Sequence, residues 1–263
     1  MKLGVRGPTQ GATLRERALF AHRAGFDGLE LGPEHLNVTV DQILAQLDGT
    51  DITISAIVGS LELLNPDIDA RRRAIQLDRD RLRMAEELGA NGVIEVPVFG
   101  PSRFPDASPV FSSYELERRI LISGLRELAD VTERTGTPIL IEPLNRYETH
   151  FINRIEQATD IIVEVGKGQF KILADFFHMN IEERSIDTAI RGGGNLLGYV
   201  HLADTNRLQP GAGHMDFRKG FTALRSIGYD GWLTVESGVE EGEGERALKQ
   251  SVELIRKLWS EVD

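Results

Sequence analysis

At 263 residues and 41% hydrophobic content, the chain is long enough to bury one large core, as a single α/β barrel or as two smaller domains. Its 41 acidic against 30 basic residues give a formal charge of -11, which opposes binding to nucleic acid unless a local basic face overrides it. The absence of cysteine excludes disulfides, thiolate metal sites and cysteine nucleophiles, and no run approaches the roughly 18 apolar residues of a membrane span. The N-terminus, MKLGVRGPTQ, has no apolar leader core, so a cytoplasmic protein with no membrane partner is expected.

Short apolar runs alternate with helical patterns throughout, as in βα units around a parallel sheet. Strands are expected near Lys2 to Arg6, Gly28 to Leu31, Thr53 to Val58, Gly92 to Val98, Pro138 to Leu144, Phe170 to Asp175, Leu197 to Leu202 and Gly231 to Glu236. Capping-box pairs open the helices between them at Thr13 with Glu16, Thr39 with Gln42, Ser112 with Glu115, and Asn153 with Glu156. Gly25, Gly89, Gly136, Gly166 and Gly228 close helices, since a left-handed residue ends one without strain there. The Arg71-Arg72-Arg73 run sits among Asp78, Asp80, Glu86 and Glu87 and reads as a solvated, ion-paired helix face. Pro97 to Ser113, rich in proline and phenylalanine, reads as a long loop, either a lid or rim over a site or an edge that only packs. Gly192-Gly193-Gly194 reads as a further loop. No G-x-G-x-x-G turn follows the first strand, which disfavours an open doubly wound sheet. Eight units of this size fit a (β/α)8 TIM barrel, a single α/β domain spanning 1–263.

Active sites of such barrels gather at the C-terminal ends of the strands. On strands five to eight those ends carry Glu142, Asp175, His201 and Glu236, each about one βα unit from the last. A carboxylate ending a buried strand costs several kcal/mol without a counter-charge, and three beside one imidazole repel unless a divalent cation neutralises them. One such residue alone is more often a hydrogen-bonded structural group, but four on successive strands converge. Oxygen-rich ligation with one nitrogen points to Mn²⁺, with Mg²⁺ or Co²⁺ next; Zn²⁺ is less favoured because it usually takes more nitrogen or sulfur. In the turn Pro-Gly-Ala-Gly-His-Met-Asp, His214 is expected to hydrogen-bond locally rather than ligate, and Asp216 to cap the next helix. Arg6 is open to two readings, an anion holder or a structural ion pair.

The sequences Glu142-Pro143-Leu144-Asn145-Arg146, Asp175 with His178, His201-Leu202-Ala203-Asp204 followed by Arg207, the Pro-Gly-Ala-Gly-His-Met-Asp turn and Val235-Glu236-Ser237 together resemble the xylose-isomerase-like sugar isomerase/epimerase family. The nearest likeness is to its ketose 3-epimerase and hydroxypyruvate-isomerase-like branch, strong over the second half of the chain and general in layout over the first. The resemblance implies that Glu142, Asp175, His201 and Glu236 ligate the metal and that Glu142 and Glu236 are also the catalytic pair. It implies that Glu148, His178 and Arg207 contact the substrate at the C1/C2 end of a ketose. A small sugar or hydroxycarbonyl substrate follows, and related barrels commonly pair, so a dimer or tetramer is the oligomeric expectation. Arg6, Gly7, Pro8 and Glu95 match no single branch, which leaves the far end of the substrate open.

The chemistry fits these residues independently. A proton on carbon beside a carbonyl becomes labile when positive charge stabilises the enediolate left behind, and two carboxylates on opposite faces of that plane can invert the centre. Three rivals stand beside this reading: a dehydratase of the same family acting on an inosose or dehydroshikimate, an endonuclease-IV-like repair enzyme, and a non-catalytic metal- or sugar-binding barrel. The repair enzyme needs extra histidines and an Asp-x-His pair after strand seven, whereas this acidic chain has six histidines in all. The non-catalytic barrel needs no acid/base pair, yet Glu142 and Glu236 are both present.

Overall fold

A computed structural model describes residues 1–7, 9–239 and 243–262. Eight parallel strands close into a barrel in sequence order: β1 (Lys2–Arg6), β2 (Gly28–Leu31), β3 (Thr53–Val58), β4 (Val93–Glu95), β5 (Ile139–Ile141), β6 (Phe170–Asp175), β7 (Leu197–Leu202) and β8 (Trp232–Glu236). β8 pairs back onto β1 over its whole length, from Lys2 opposite Trp232 to Arg6 opposite Glu236. The helices outside are α1 (Leu14–Ala24), α2 (Val40–Leu47), α3 (Ile68–Leu88), α4 (Ser113–Thr135), α5 (Ile155–Val165), α6 (Phe176–Glu182), α7 (Ile186–Gly193), α8 (Phe217–Ser226) and α9 (Gly244–Ser260). This is the expected (β/α)8 TIM barrel, with the short α6 inserted directly after β6. Among the described residues, no helix is long and apolar enough to cross a membrane.

Side chains alternate faces along each strand, and the alternation builds two cores. Inward-facing Ala56, Ile94, Leu140, Leu173, Tyr199 and Trp232 fill the barrel as a separate cluster, while outward-facing residues join the helices in a larger one. The buried Tyr199 hydroxyl donates to Ser55 Oγ at 2.7 Å and accepts from Thr234 Oγ1 at 2.6 Å, so the plug carries its polar group satisfied. Two residues beyond Leu140, Leu173 and Tyr199, the same inward face presents Glu142, Asp175 and His201. The plug is therefore the floor of the site.

Four local expectations are corrected. β4 and β5 are shorter than the expected Gly92 to Val98 and Pro138 to Leu144, because Pro97 and Pro143 cannot donate into a ladder. Glu142 thus stands just past β5, although its N–H still bonds Glu95 O at 3.0 Å. The capping boxes at Thr13, Thr39 and Ser112 form, but Asn153 with Glu156 does not. Arg154 is the N-cap of α5, and Gln157 Oε1 accepts from Asn153 N and Arg154 N at 3.0 and 3.1 Å. Asn153 instead donates to the carbonyls of Leu144 and Thr149 at 2.8 and 3.0 Å and ties down the loop after β5. Gly192 and Gly193 are the last turn of α7 rather than a loop. Asp78 is no part of a solvated face: it is fully buried, while Arg72 with Asp69 and Arg83 with Asp80 do pair on the surface at 3.0 and 2.9 Å.

At Gly28, a Cβ would lie 2.5 Å from the Trp232 ring and 2.9 Å from the Thr53 carbonyl, so the barrel closes here only because no side chain intervenes. Gly28→Ala is expected to cost about 1–3 kcal/mol in urea denaturation through overpacking. An unchanged midpoint and slope would contradict this account of the closure.

Candidate active site and metal centre

The structure brings all four expected ligands together: one donor atom from each of Glu142, Asp175, His201 and Glu236 lies within 4.8 Å of the others. His201 Nδ1 is the centre, 3.3 Å from Glu142 Oε1, 3.4 Å from Glu236 Oε2 and 3.9 Å from Asp175 Oδ2. Strand register helps, since Asp175 and His201 are direct partners across β6 and β7. Asp175 divides its oxygens. Oδ1 caps α6, accepting from Phe177 N at 2.7 Å and His178 N at 3.1 Å, and Oδ2 is left to face the cluster.

Whether a cation fits can be read from two atoms. Glu142 Oε1 and His201 Nδ1 are buried without a hydrogen-bond partner, and both face the cluster. An unsatisfied buried polar group costs about 1–3 kcal/mol; a divalent ion bound among three carboxylates and one imidazole satisfies both. The donor set fits such an ion.

The sequence reading missed what stands behind His201. Glu30, in the middle of the fully buried strand Gly28–Leu31, places Oε2 2.7 Å from His201 Nε2. The carboxylate accepts from the Nε2 proton, which leaves Nδ1 as the ring nitrogen turned to the cluster, able to ligate an ion once its own proton is displaced. Arg6 then holds Glu30, with Nη1 2.8 Å from Oε1, and reaches Glu236 Oε1 with Nε at 3.4 Å. Of the two readings of Arg6, the structure shows the ion pair. A lone carboxylate in an apolar four-residue strand was the available signal, but its partner lies 171 residues away.

These contacts set the electrostatics of the protein groups. Burial alone would lower the His201 pKa, but Glu30 and Glu236 outweigh it and push the imidazole well above its usual value. Burial raises Glu142, offset in part by His201. Burial would raise Glu236 too, but His201, Arg207 and Arg6 together hold it far below the usual carboxylate range. The two carboxylates expected to act as a pair are thus driven in opposite directions.

Glu148, His178 and Arg207 are also at the mouth. His178 Nδ1 accepts from Asn145 N at 3.1 Å while Nε2 faces Arg207 Nη1 at 3.0 Å, and Glu148 Oε1 accepts from Asn145 Nδ2 at 2.9 Å. Asn145, part of the motif after β5 but given no role there, therefore orients two of the three. Arg207 donates from Nη2 to Glu236 Oε2 at 2.7 Å and lies 4.6 Å from the Phe177 ring centroid. Its φ of 60° is unusual for a non-glycine residue. It is imposed by bonds from Arg207 N to Asp204 O and from Gly238 N to Arg207 O, both 2.9 Å. The buried Asp204 organises this loop by accepting from Thr205, Gly211 and Met215 N–H groups at 2.8 to 2.9 Å. As expected, His214 bonds Thr205 Oγ1 at 3.0 Å and Asp216 caps α8. The pocket has a polar side, from Arg6, Glu142, Glu148, His178, Arg207 and Glu236, and an apolar side that includes Val58, Leu61, Ile94 and Val96. Phe99, half-exposed, brings the long loop after β4 to the rim.

At the ends of its last four strands, the closed (β/α)8 barrel thus carries an acid and imidazole cluster whose donors could hold a metal ion. Residues 19–258 match the xylose isomerase-like TIM barrel family, and the chain belongs to it. Among curated relatives, 3-dehydro-D-guloside 4-epimerase of Escherichia coli strain K12 is 32% identical over 92% of this chain and 93% of its own. D-psicose 3-epimerase of Ruminiclostridium cellulolyticum is 31% identical over 84% of this chain and 76% of its own. The solved apo structure of E. coli 3-keto-D-glucoside 4-epimerase superposes with a TM-score of 0.88 at 30% identity, covering 98% of this chain and 99% of that one. The family expected from the motifs is thereby borne out.

Because Glu30 fixes the ligating face of His201, Glu30→Gln is expected to weaken Mn²⁺ binding about 10- to 100-fold by calorimetry. An unchanged affinity would show that the Glu30 contact does not prepare the imidazole.

Proposed function

We propose that this protein is a divalent-metal-dependent sugar epimerase of the ketose 3-epimerase type, moving a proton on the carbon beside a sugar carbonyl. The observation that carries the reading is that Glu142 Oε1 and Glu236 Oε2 both approach His201 Nδ1, at 3.3 and 3.4 Å, in one four-residue cluster at the barrel mouth. The relatives support it, since their names describe epimerisation of keto-sugars rather than dehydration or DNA cleavage.

Glu142, Asp175, His201 and Glu236 would hold the ion, with Mn²⁺ first, Mg²⁺ or Co²⁺ next, and Zn²⁺ less suited to three oxygens and one nitrogen. Such an ion, when bound, would supply positive charge to offset the negative charge that develops on oxygen as the carbon-bound proton leaves. One carboxylate of the Glu142 and Glu236 pair takes that proton, and the other returns one from the opposite face, which inverts the centre. Each such step contributes about 10²- to 10⁴-fold. Arg207 and His178 would bind the C1/C2 oxygens and Glu148 would accept from a hydroxyl, a reading supported by all three lining the pocket beside Glu142 and Glu236. The Asn145 bonds to His178 and Glu148 keep these two groups in register with the loop after β5.

Two outcomes are expected. Glu142→Gln and Glu236→Gln each lower ketose turnover by at least about 10²-fold, measured by product sugar on chromatography; activity within tenfold of the parent would reject the paired roles. In D₂O the parent enters solvent deuterium at one carbon of the product, EDTA removes the activity and Mn²⁺ or Co²⁺ restores it, whereas full turnover after metal removal would contradict the reading.

A further inference from the structure

Asp78 on α3 and Glu95 at the end of β4 are both fully buried, and the reaction proposed above uses neither. Two acids in the layer between barrel and helices are costly to keep there, and their hydrogen bonds converge on one turn. Ser60 N donates to Asp78 Oδ1 at 2.7 Å, and Ser60 Oγ lies 2.9 Å from Asp78 Oδ2 and 3.1 Å from Glu95 Oε1. Leu61 N donates to the two Glu95 oxygens at 3.3 and 3.2 Å. From the same helix Arg81 Nη1 donates to the carbonyls of Val58, at 2.9 Å, and Gly59. Gly59 N in turn bonds Ile94 O at 2.6 Å.

The turn so held is strained and faces the pocket. Leu61 has a φ of 59°; among the described non-glycine residues only Asp51 and Arg207 share a positive φ, and Arg207 lines the same pocket. A left-handed conformation costs a non-glycine residue about 1–3 kcal/mol and persists only where the surroundings impose it. Here the Glu95 carboxyl does so. Period-two alternation explains why it can: Ile94 and Val96 line the pocket, so Glu95 between them points at α3.

We propose that Glu95 and Asp78 are positioning residues that hold the turn after β3 so that Leu61 walls the apolar side of the pocket and restricts which sugars fit. The inference rests on the sugar-site reading of that pocket. Glu95 acts through Leu61 and not on the reacting carbon, so its loss weakens substrate binding and leaves the chemistry alone.

The test compares Glu95→Ala, Glu95→Gln and Leu61→Ala in the Mn²⁺-loaded protein, with D-psicose as probe and crystal structures of each variant. In Glu95→Ala, KM is expected to rise about tenfold with kcat within about threefold and metal content unchanged, the pattern of lost uniform binding. Glu95→Gln keeps an acceptor for Leu61 N and stays within about threefold of the parent on both constants. Leu61→Ala, which leaves the buried pair intact, repeats the rise in KM. A parental KM in Leu61→Ala overturns the proposal even if Glu95→Ala does not fold, and so does a fall in kcat without a change in KM. The crystal structures decide independently of turnover: Leu61 leaves the left-handed region in Glu95→Ala and stays there in Glu95→Gln. An unmoved Leu61 in Glu95→Ala overturns the proposal, whereas a moved one in a protein whose parent turns over no ketose overturns only the sugar-site reading.

Discussion

Three carboxylates held around one imidazole repel one another, and the upper face of this barrel is arranged to keep them together. Charges and backbone dipoles around the cluster meet His201, Glu236 and Asp175. Glu30 and Arg6 stand behind His201 and Glu236, Arg207 bridges Glu236 and Asp175, and the start of α6 takes one oxygen of Asp175. Two polar atoms are left without partners at the centre, one on Glu142 and one on His201. The groups around the site thus converge on a point where a cation would satisfy both atoms.

The barrel makes this convergence with a simple rule of alternation. Along β6 and β7, and from β5 to the residue just past it, the inward face is apolar for one layer and ionisable for the next, so Leu140, Leu173 and Tyr199 lie beneath Glu142, Asp175 and His201. The low-dielectric floor strengthens every interaction above it. The other face of β4 is used differently. Glu95 is spent on the turn after β3, which shapes the apolar side of the pocket opposite the charged groups. The clustered charge and the turn after β3 are therefore held by residues of opposite parity on neighbouring strands.

Much of this was legible in the chain. The eight strands follow from apolar runs spaced one βα unit apart, and the ligands from the polar residue ending each of the last four. Capping boxes were readable because both partners lie within one turn, as at Thr13 and Glu16. Where a residue's partner is distant, local pattern fails. Glu30 finds His201 across the barrel, Asp78 leaves an apparently solvated helix face to bond Ser60, and Asn153 caps two carbonyls instead of its own helix. Strand length failed in β4 and β5 for a related reason, since apolar content continues past the prolines that end hydrogen bonding. Asp204 shows the same limit, because its three loop N–H partners are visible only once the loop is folded.

Anomalous diffraction from crystals grown with Mn²⁺, collected on both sides of the manganese absorption edge, tests the central claim most directly. The account predicts one strong peak at full occupancy, within about 2.0–2.6 Å of Glu142, Asp175, His201 Nδ1 and Glu236. No peak there, with His201 Nδ1 and Glu142 Oε1 bonded instead to protein groups or water, would contradict it.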